Sequence, residues 1–132
     1  MPIEPSDVLL DGRVAVVTGA GSGIGRGIAA GFAAFGASVA IWEQDPKTCA
    51  AAAEQIGALG VPTDVRDSEA VDAALARTAE ALGPVSILVN NASGWRKDTF
   101  SPVVTISCAD TTTCSPAIPR CRSCWSTPEV AR

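Results

Sequence analysis

The stretch VVTGAGSGIGRG, residues 16–27, decides the fold. Its glycines Gly19, Gly23 and Gly25 follow the β-branched run RVAVVT, residues 13–18, which is long enough for a buried parallel strand. They open a segment, residues 24–35, whose apolar residues Ile24, Ile28, Phe32 and Phe35 fall close to helical spacing. The pattern is a strand, a tight loop and a helix. Such a loop presents the free N–H groups and the positive dipole end of the helix to an anion. A diphosphate must come close to this backbone. A Cβ at Gly19 or Gly23 would obstruct the turn or the phosphates, and one at Gly25 would push the helix off the strand. Ser22 adds a hydroxyl for a phosphate or ribose oxygen, and Ile24 stands between the last two glycines of the motif. A tight turn with no ligand is the plain alternative. The agreement of strand, loop, helix and a second strand favours a dinucleotide site.

The alternation continues outward. Gly36 closes the helix and SVAIW, residues 38–42, is a second strand. Glu43 follows it, 18 residues after Gly25 (43 − 25), where a carboxylate can accept hydrogen bonds from ribose hydroxyls and repel a 2′-phosphate. No Arg or Lys adjoins it in sequence, so NAD is favoured over NADP. The plain alternative is a solvated residue leaving a strand. Asp45 and Pro46 form an N-cap and first helical position, and the Ala-rich run that follows, reaching to Leu59, ends near Gly57 or Gly60. Residues 61–64 form a short third strand. Asp67 or Ser68 caps a helix through Leu82, Gly83-Pro84 ends it, and VSILVN, residues 85–90, is a fourth strand. Strands separated by helices demand parallel pairing with right-handed crossovers. The expected fold is an α/β, Rossmann-like, doubly wound parallel sheet, truncated after the fourth strand, over residues 9–100.

The elements TGAGSGIG, TDVRD and ILVNNAS occur in that order, and together they closely resemble the fingerprint of the short-chain dehydrogenase/reductase family over roughly residues 9–100. The resemblance implies a nicotinamide-dependent oxidoreductase that moves a hydride between the cofactor and an alcohol or carbonyl substrate. It implies that Asp64 bonds the adenine amino group and Val65 packs on the ring. It further implies that Asn90 braces the sheet, while Asn91 and Ala92 lie beside the cofactor ribose. Ser93 stands where the family pattern has glycine, which adds bulk near the nicotinamide side.

Two absences bear on chemistry: the sequence has no histidine and no tyrosine. A His-based triad or His metal site is excluded, as is any mechanism needing a phenol. In the family resembled, a tyrosine carries the proton, a lysine four residues later lowers its pKa, and a serine and a further asparagine assist. The only lysines here are Lys47 and Lys97, and no serine beyond residue 100 has the family context. No catalytic residue is therefore assigned, and the chain is expected to bind cofactor without turnover. A non-enzymatic NAD-binding protein is the first alternative.

After residue 100 the texture changes. Residues 101–132 contain no leucine or glycine, and prolines at 102, 116, 119 and 128 break any longer helix. Cys108, Cys114, Cys121 and Cys124 admit a zinc site or disulfides, but a segment never shaped for folding, from a frame shift or truncated gene, explains the lost periodicity best. No metal is expected. A sheet ending at the fourth strand would expose an unpaired apolar edge, so self-association through that edge is expected. The net charge of −4 disfavours nucleic-acid and anionic-membrane binding. With no run of 18 apolar residues and no signal-peptide pattern in MPIEPSDVLLDG, a cytoplasmic location is expected.

Overall fold

The computed structural model describes residues 4–93 and 105–108. After a 3-10 turn at Pro5–Val8, the chain runs β1 (Val14–Thr18), α1 (Gly23–Ala34), β2 (Ser38–Glu43), α2 (Pro46–Ile56), β3 (Leu59–Pro62), α3 (Ser68–Leu82), β4 (Ile87–Asn90) and β5 (Thr105–Cys108). The sheet order is β3-β2-β1-β4-β5. The first four strands are all parallel, with Val16 facing Ala40 on one side and Leu88 on the other. This is the doubly wound sheet that the alternation of patterns implies.

Each boundary has a local cause. The Asp45 carboxylate accepts from the Thr48 N–H at 2.8 Å, Pro46 occupies the first turn, and Gly57 ends α2 in a left-handed conformation. The Asp67 carboxylate accepts from the Glu69 and Ala70 N–H groups at 3.0 and 3.4 Å. Asp67→Ala removes both bonds, and we expect a loss of about 0.5–2 kcal/mol in urea unfolding, with Asp67→Asn close to the parent. The strand β3 begins two residues before the sequence expectation of 61–64. Gly60, read as a helix stop, lies within the strand and opposite Ile41, where a Cβ would come within 3.0 Å of Ala53 Cβ on α2. At the start of β4, Ser86 replaces ladder pairing by clasping β1: its N–H donates to the Val14 carbonyl at 2.9 Å and its Oγ accepts from the Val14 N–H at 3.2 Å.

The strands alternate their side chains between two cores. One face packs Ala15, Val17, Val39, Ile41 and Val89 against Ala29 of α1 and Cys49, Ala52 and Ala53 of α2. The other packs Val16, Ala40, Trp42, Val61 and Leu88 against Ala74 of α3. Trp42 is held by its indole N–H donating to Thr78 Oγ1 at 3.1 Å, and that hydroxyl donates to the Ala74 carbonyl at 2.7 Å. Burial pushes the Cys49 thiol up from its ordinary pKa.

One element goes against expectation: the sequence offers residues 102–107 as the nearest candidate for a fifth strand, too short to be credible. Residues 105–108 lie in the stretch read as irregular, yet they form β5, antiparallel to β4, with Val89 opposite Ile106. An antiparallel return needs no crossover helix, and edge strands of this sense are common on parallel sheets. The edge of β4, which the sequence reading leaves open, is thus paired over residues 87–90. Among the described residues the open edge of the sheet on this side is therefore β5 rather than β4. Cys114, Cys121 and Cys124 lie outside the described residues.

Candidate functional site

The helices α1 and α2 cover one face, and α3 returns across the other to deliver β4 beside β1. The winding therefore reverses between β1 and β4. In open parallel sheets the crevice beyond the strands' C-terminal ends at such a reversal is where ligands bind. A cleft of about 630 Å³ lies there. Gly19 enters it from the end of β1, Ser22, Gly23 and Ile24 from the start of α1, and Trp42, Glu43 and Gln44 from β2. Thr63, Asp64, Val65 and Arg66 line it after β3, and Asn91, Ala92 and Ser93 after β4. Of the ten residues singled out in the sequence for a cofactor, nine line this cleft, all but Gly25.

Gly25 acts from behind. It is buried, and a Cβ there would collide with Asn91 Nδ2 and approach the Gly19 carbonyl to 2.7 Å. Its place is fixed by the packing of the loop on β4.

The corner between β1 and β4 is locked by two side chains. Thr18 Oγ1 donates to the Val89 carbonyl at 3.3 Å and accepts from the N–H groups of Asn91 and Ala92 at 3.1 and 3.0 Å. Asn91 Nδ2 donates to the Thr18 and Gly19 carbonyls, both at 3.1 Å. The side chain of Asn91 thus ties the glycine loop to the end of β4. Gly19 adopts φ +63°, and a Cβ on it would stand 2.7 Å from Ala92 Cα.

Ser22 is the N-cap of α1 in extended geometry, yet its side chain makes no capping bond. The hydroxyl and the first-turn N–H groups are therefore left for another acceptor. Gly23 beside it has φ +57° and open space where a Cβ would be. Ile24 is 72% exposed, an apolar side chain standing on the cleft wall.

At the other end, Glu43 Oε2 accepts from the Gly21 N–H at 3.1 Å and Oε1 from the Gln44 N–H at 2.9 Å. A carboxylate has about four lone-pair sites, so capacity remains on both oxygens. Asp64 is more fully engaged. Its oxygens accept from Arg66 Nε at 2.9 Å, Arg66 Nη2 at 2.7 Å, the Arg66 N–H at 3.0 Å and Gln44 Nε2 at 3.2 Å. The Arg66 side-chain and backbone hydrogen bonds hold the Asp64 carboxyl down at about 2. The sequence shows no basic residue adjoining Glu43, but in space Arg66 lines the same cleft, with its guanidinium paired to Asp64.

A fold of this order with a glycine loop at the reversal narrows the comparison, and the pattern of the short chain dehydrogenase family matches residues 13–113. The chain belongs to the short-chain dehydrogenase family. It is 49% identical over 86 residues to galactitol 2-dehydrogenase (L-tagatose-forming) of Cereibacter sphaeroides, covering 63% of this chain and 34% of that protein. It is 42% identical over 91 residues to D-threitol dehydrogenase of Mycolicibacterium smegmatis, covering 65% and 35%. Among solved structures, 3-ketoacyl-(acyl-carrier-protein) reductase of Brucella melitensis complexed with NADH superposes with TM-score 0.62 and 46% identity over 63% of this chain and 35% of that one. A 7α-hydroxysteroid dehydrogenase complexed with NADH and 7-oxo glycochenodeoxycholic acid superposes with TM-score 0.66 and 35% identity, covering 70% and 38%. The chain thus spans about a third of the length of these curated relatives.

For a short-chain dehydrogenase, the residues that sequence reasoning missed are polar partners rather than motif positions. Thr18, Gly21, Gln44 and Arg66 shape the site through bonds that span 20 to 74 positions or link neighbours across a turn. Only Thr18 carried a signal, as a hydroxyl residue at the end of an otherwise apolar strand. No helix of the described residues is long and apolar enough to cross a membrane.

Proposed function

We propose that this chain is the nicotinamide-dinucleotide-binding part of a short-chain dehydrogenase, and that it prefers NAD(H) to NADP(H). The observation that carries this is Glu43, held at the cleft by the Gly21 N–H while its oxygens retain acceptor capacity. The residues present fit the cofactor: a glycine cradle that a Cβ at Gly19 would close, an uncapped helix start at Ser22, and a carboxylate one strand away.

The cofactor, when bound, supplies a hydride donor or acceptor for an alcohol or carbonyl carbon. The chain's own residues bind and orient it. The first-turn N–H groups of α1 and the Ser22 hydroxyl receive the diphosphate. Gly19 and Gly23 let it approach, and Ile24 excludes water beside it. Glu43 accepts from the ribose hydroxyls. Val65 offers an apolar surface to the adenine, and Asp64 can accept from its amino group only by sharing bonds now made with Arg66 and Gln44. Asn91 fixes the glycine loop to β4, and Asn91 and Ala92 would lie beside the cofactor ribose. The two structural relatives that hold NADH support the cofactor class, and the two sugar-alcohol dehydrogenases support a hydroxyl-bearing substrate.

Calorimetric titration of the purified chain tests the preference. A 2′-phosphate set against Glu43 meets a like charge, worth about 4 kcal/mol at 4 Å and an effective dielectric of 20. NAD should bind more tightly than NADP. Glu43→Ala should weaken NAD by roughly 1.5–3 kcal/mol, the range for hydrogen bonds to a charged group, and relax the discrimination. Equal or tighter NADP binding by the unaltered chain would overturn the proposal.

A further inference from the structure

The second glycine of TGAGSGIG, Gly21, was given no role by the motif. It is buried, and its φ lies outside the left-handed region, so backbone conformation does not require a glycine there. What requires it is proximity. A Cβ on Gly21 would stand 2.8 Å from both Cγ and Oε2 of Glu43, and 2.6 Å from Thr48 Cγ2 in the first turn of α2. The same residue's N–H donates to Glu43 Oε2 at 3.1 Å. The loop and the carboxylate are therefore in contact twice, once by hydrogen bond and once by the space that a missing side chain leaves.

We infer that Gly21 is a specificity-determining position for the cofactor. It acts by letting Glu43 lie back against the glycine loop, and its N–H fixes the carboxylate where a 2′-substituent would fall. This rests on the reading of Glu43 as the ribose acceptor. Thr48 cannot yield easily, because its N–H and hydroxyl are both bonded to Asp45 Oδ2. A methyl group on Gly21 therefore displaces the Glu43 side chain, whose Cγ and Oε2 can turn away about its own bonds. The displaced carboxylate loses the Gly21 N–H and its aim at the ribose. Its charge is then free to turn into solvent, and the barrier to a 2′-phosphate falls. Gly21 touches no cofactor atom in this account, and is a positioning residue.

The test is the ratio of the NADP to the NAD dissociation constant, measured by calorimetry on the full chain. Gly21→Ala should lower that ratio by roughly tenfold, the worth of about one hydrogen bond to a charged group, mainly by weakening NAD. Combined with Glu43→Ala, it should add nothing further, since both changes remove one contact. Gly21→Ala/Thr48→Ser removes the crowding Cγ2 and keeps the hydroxyl that Asp45 binds, so it should fold and still show the lowered ratio. Independently of any Gly21 variant, the Gly21 amide resonance of the unaltered chain should lie downfield and move upfield in Glu43→Ala. An unchanged ratio in both Gly21 variants, or an equal loss of both cofactors, overturns the inference if Glu43→Ala does shift the ratio. An amide resonance that ignores Glu43→Ala overturns it also. A ratio that Glu43→Ala itself leaves unmoved defeats the underlying cofactor reading instead.

Discussion

Purified as its 132 residues, the chain is expected to bind NAD and to catalyse no dehydrogenase turnover above background with alcohols or ketones. Hydride delivery to a carbonyl leaves an alkoxide that must gain a proton, and the reverse reaction must lose one. A positioned acid or base contributes about 10²–10⁴-fold to such steps when its pKa lies near the working pH. The sequence contains neither tyrosine nor histidine. Among the described residues of the cleft, the titratable side chains are Glu43, Asp64 and Arg66. Arg66 holds Asp64 at about 2, which leaves it ionised at neutral pH, and Asp64 in turn raises the pKa of Arg66. Neither is an acid near pH 7. Glu43 sits at the end of β2, its carboxylate accepting from the N–H groups of Gly21 and Gln44. Lys47 lies in α2 and does not line the cleft. The measurement is nicotinamide absorbance over a panel of substrates, with calorimetry to show that cofactor is bound. Turnover that disappears in Gly23→Trp would prove the expectation wrong and reveal an acid outside the cleft as described.

The parts of this fold that were legible in the sequence are those set by local chemistry. Strand β1 announced itself because all five of its residues are buried, so they must be apolar or, like Thr18, internally bonded. The caps Asp45 and Asp67 were legible because a cap bonds N–H groups within three residues of itself. The glycine loop was legible because close approach at Gly19, Gly21 and Gly25, and a left-handed φ at Gly19 and Gly23, favour one residue type. What was hidden depends on distance. The engagement of Asp64 by Gln44 spans 20 positions, and that of Glu43 by Gly21 spans 22. No local pattern records which of several surface polar residues will meet. The strand β5 was discounted for a different reason: the candidate at residues 102–107 was too short to be credible alone. Its four residues TISC have no neighbouring periodicity, and a short edge strand is defined by its partner's open ladder more than by its own composition. The position of Gly60 inside β3 shows the same limit: glycine marks either a stop or a close approach, and only the Ala53 methyl above it distinguishes the two.

A large loss of stability from a single methyl group is expected at Gly19. Two costs meet there. The residue has φ +63°, where an L-residue loses roughly 1–2 kcal/mol. Its Cβ would also stand 2.7 Å from Ala92 Cα and 3.1 Å from Ala92 N, both backbone atoms that cannot rotate away. Overpacking of this kind costs about 1–3 kcal/mol, and relief by moving Ala92 would stretch its N–H bond to Thr18 Oγ1. Gly19→Ala should thus lose roughly 2–5 kcal/mol, a large share of the roughly 5–15 kcal/mol typical of whole domains. Two other glycines of the same loop and helix separate the terms. Gly23 has φ +57° but open space for a Cβ, so Gly23→Ala should show the conformational cost alone. Gly27 lies within α1 with open space and no positive φ, so Gly27→Ala should stabilise by about 0.4–1 kcal/mol. Urea unfolding of the three variants should rank Gly27→Ala above the parent, Gly23→Ala below it and Gly19→Ala lowest. If Gly19→Ala and Gly23→Ala fall together, Ala92 does not press on the loop. The locked corner between β1 and β4, on which the placement of Asn91 and Ala92 depends, would then be looser than the Thr18 and Asn91 hydrogen bonds require.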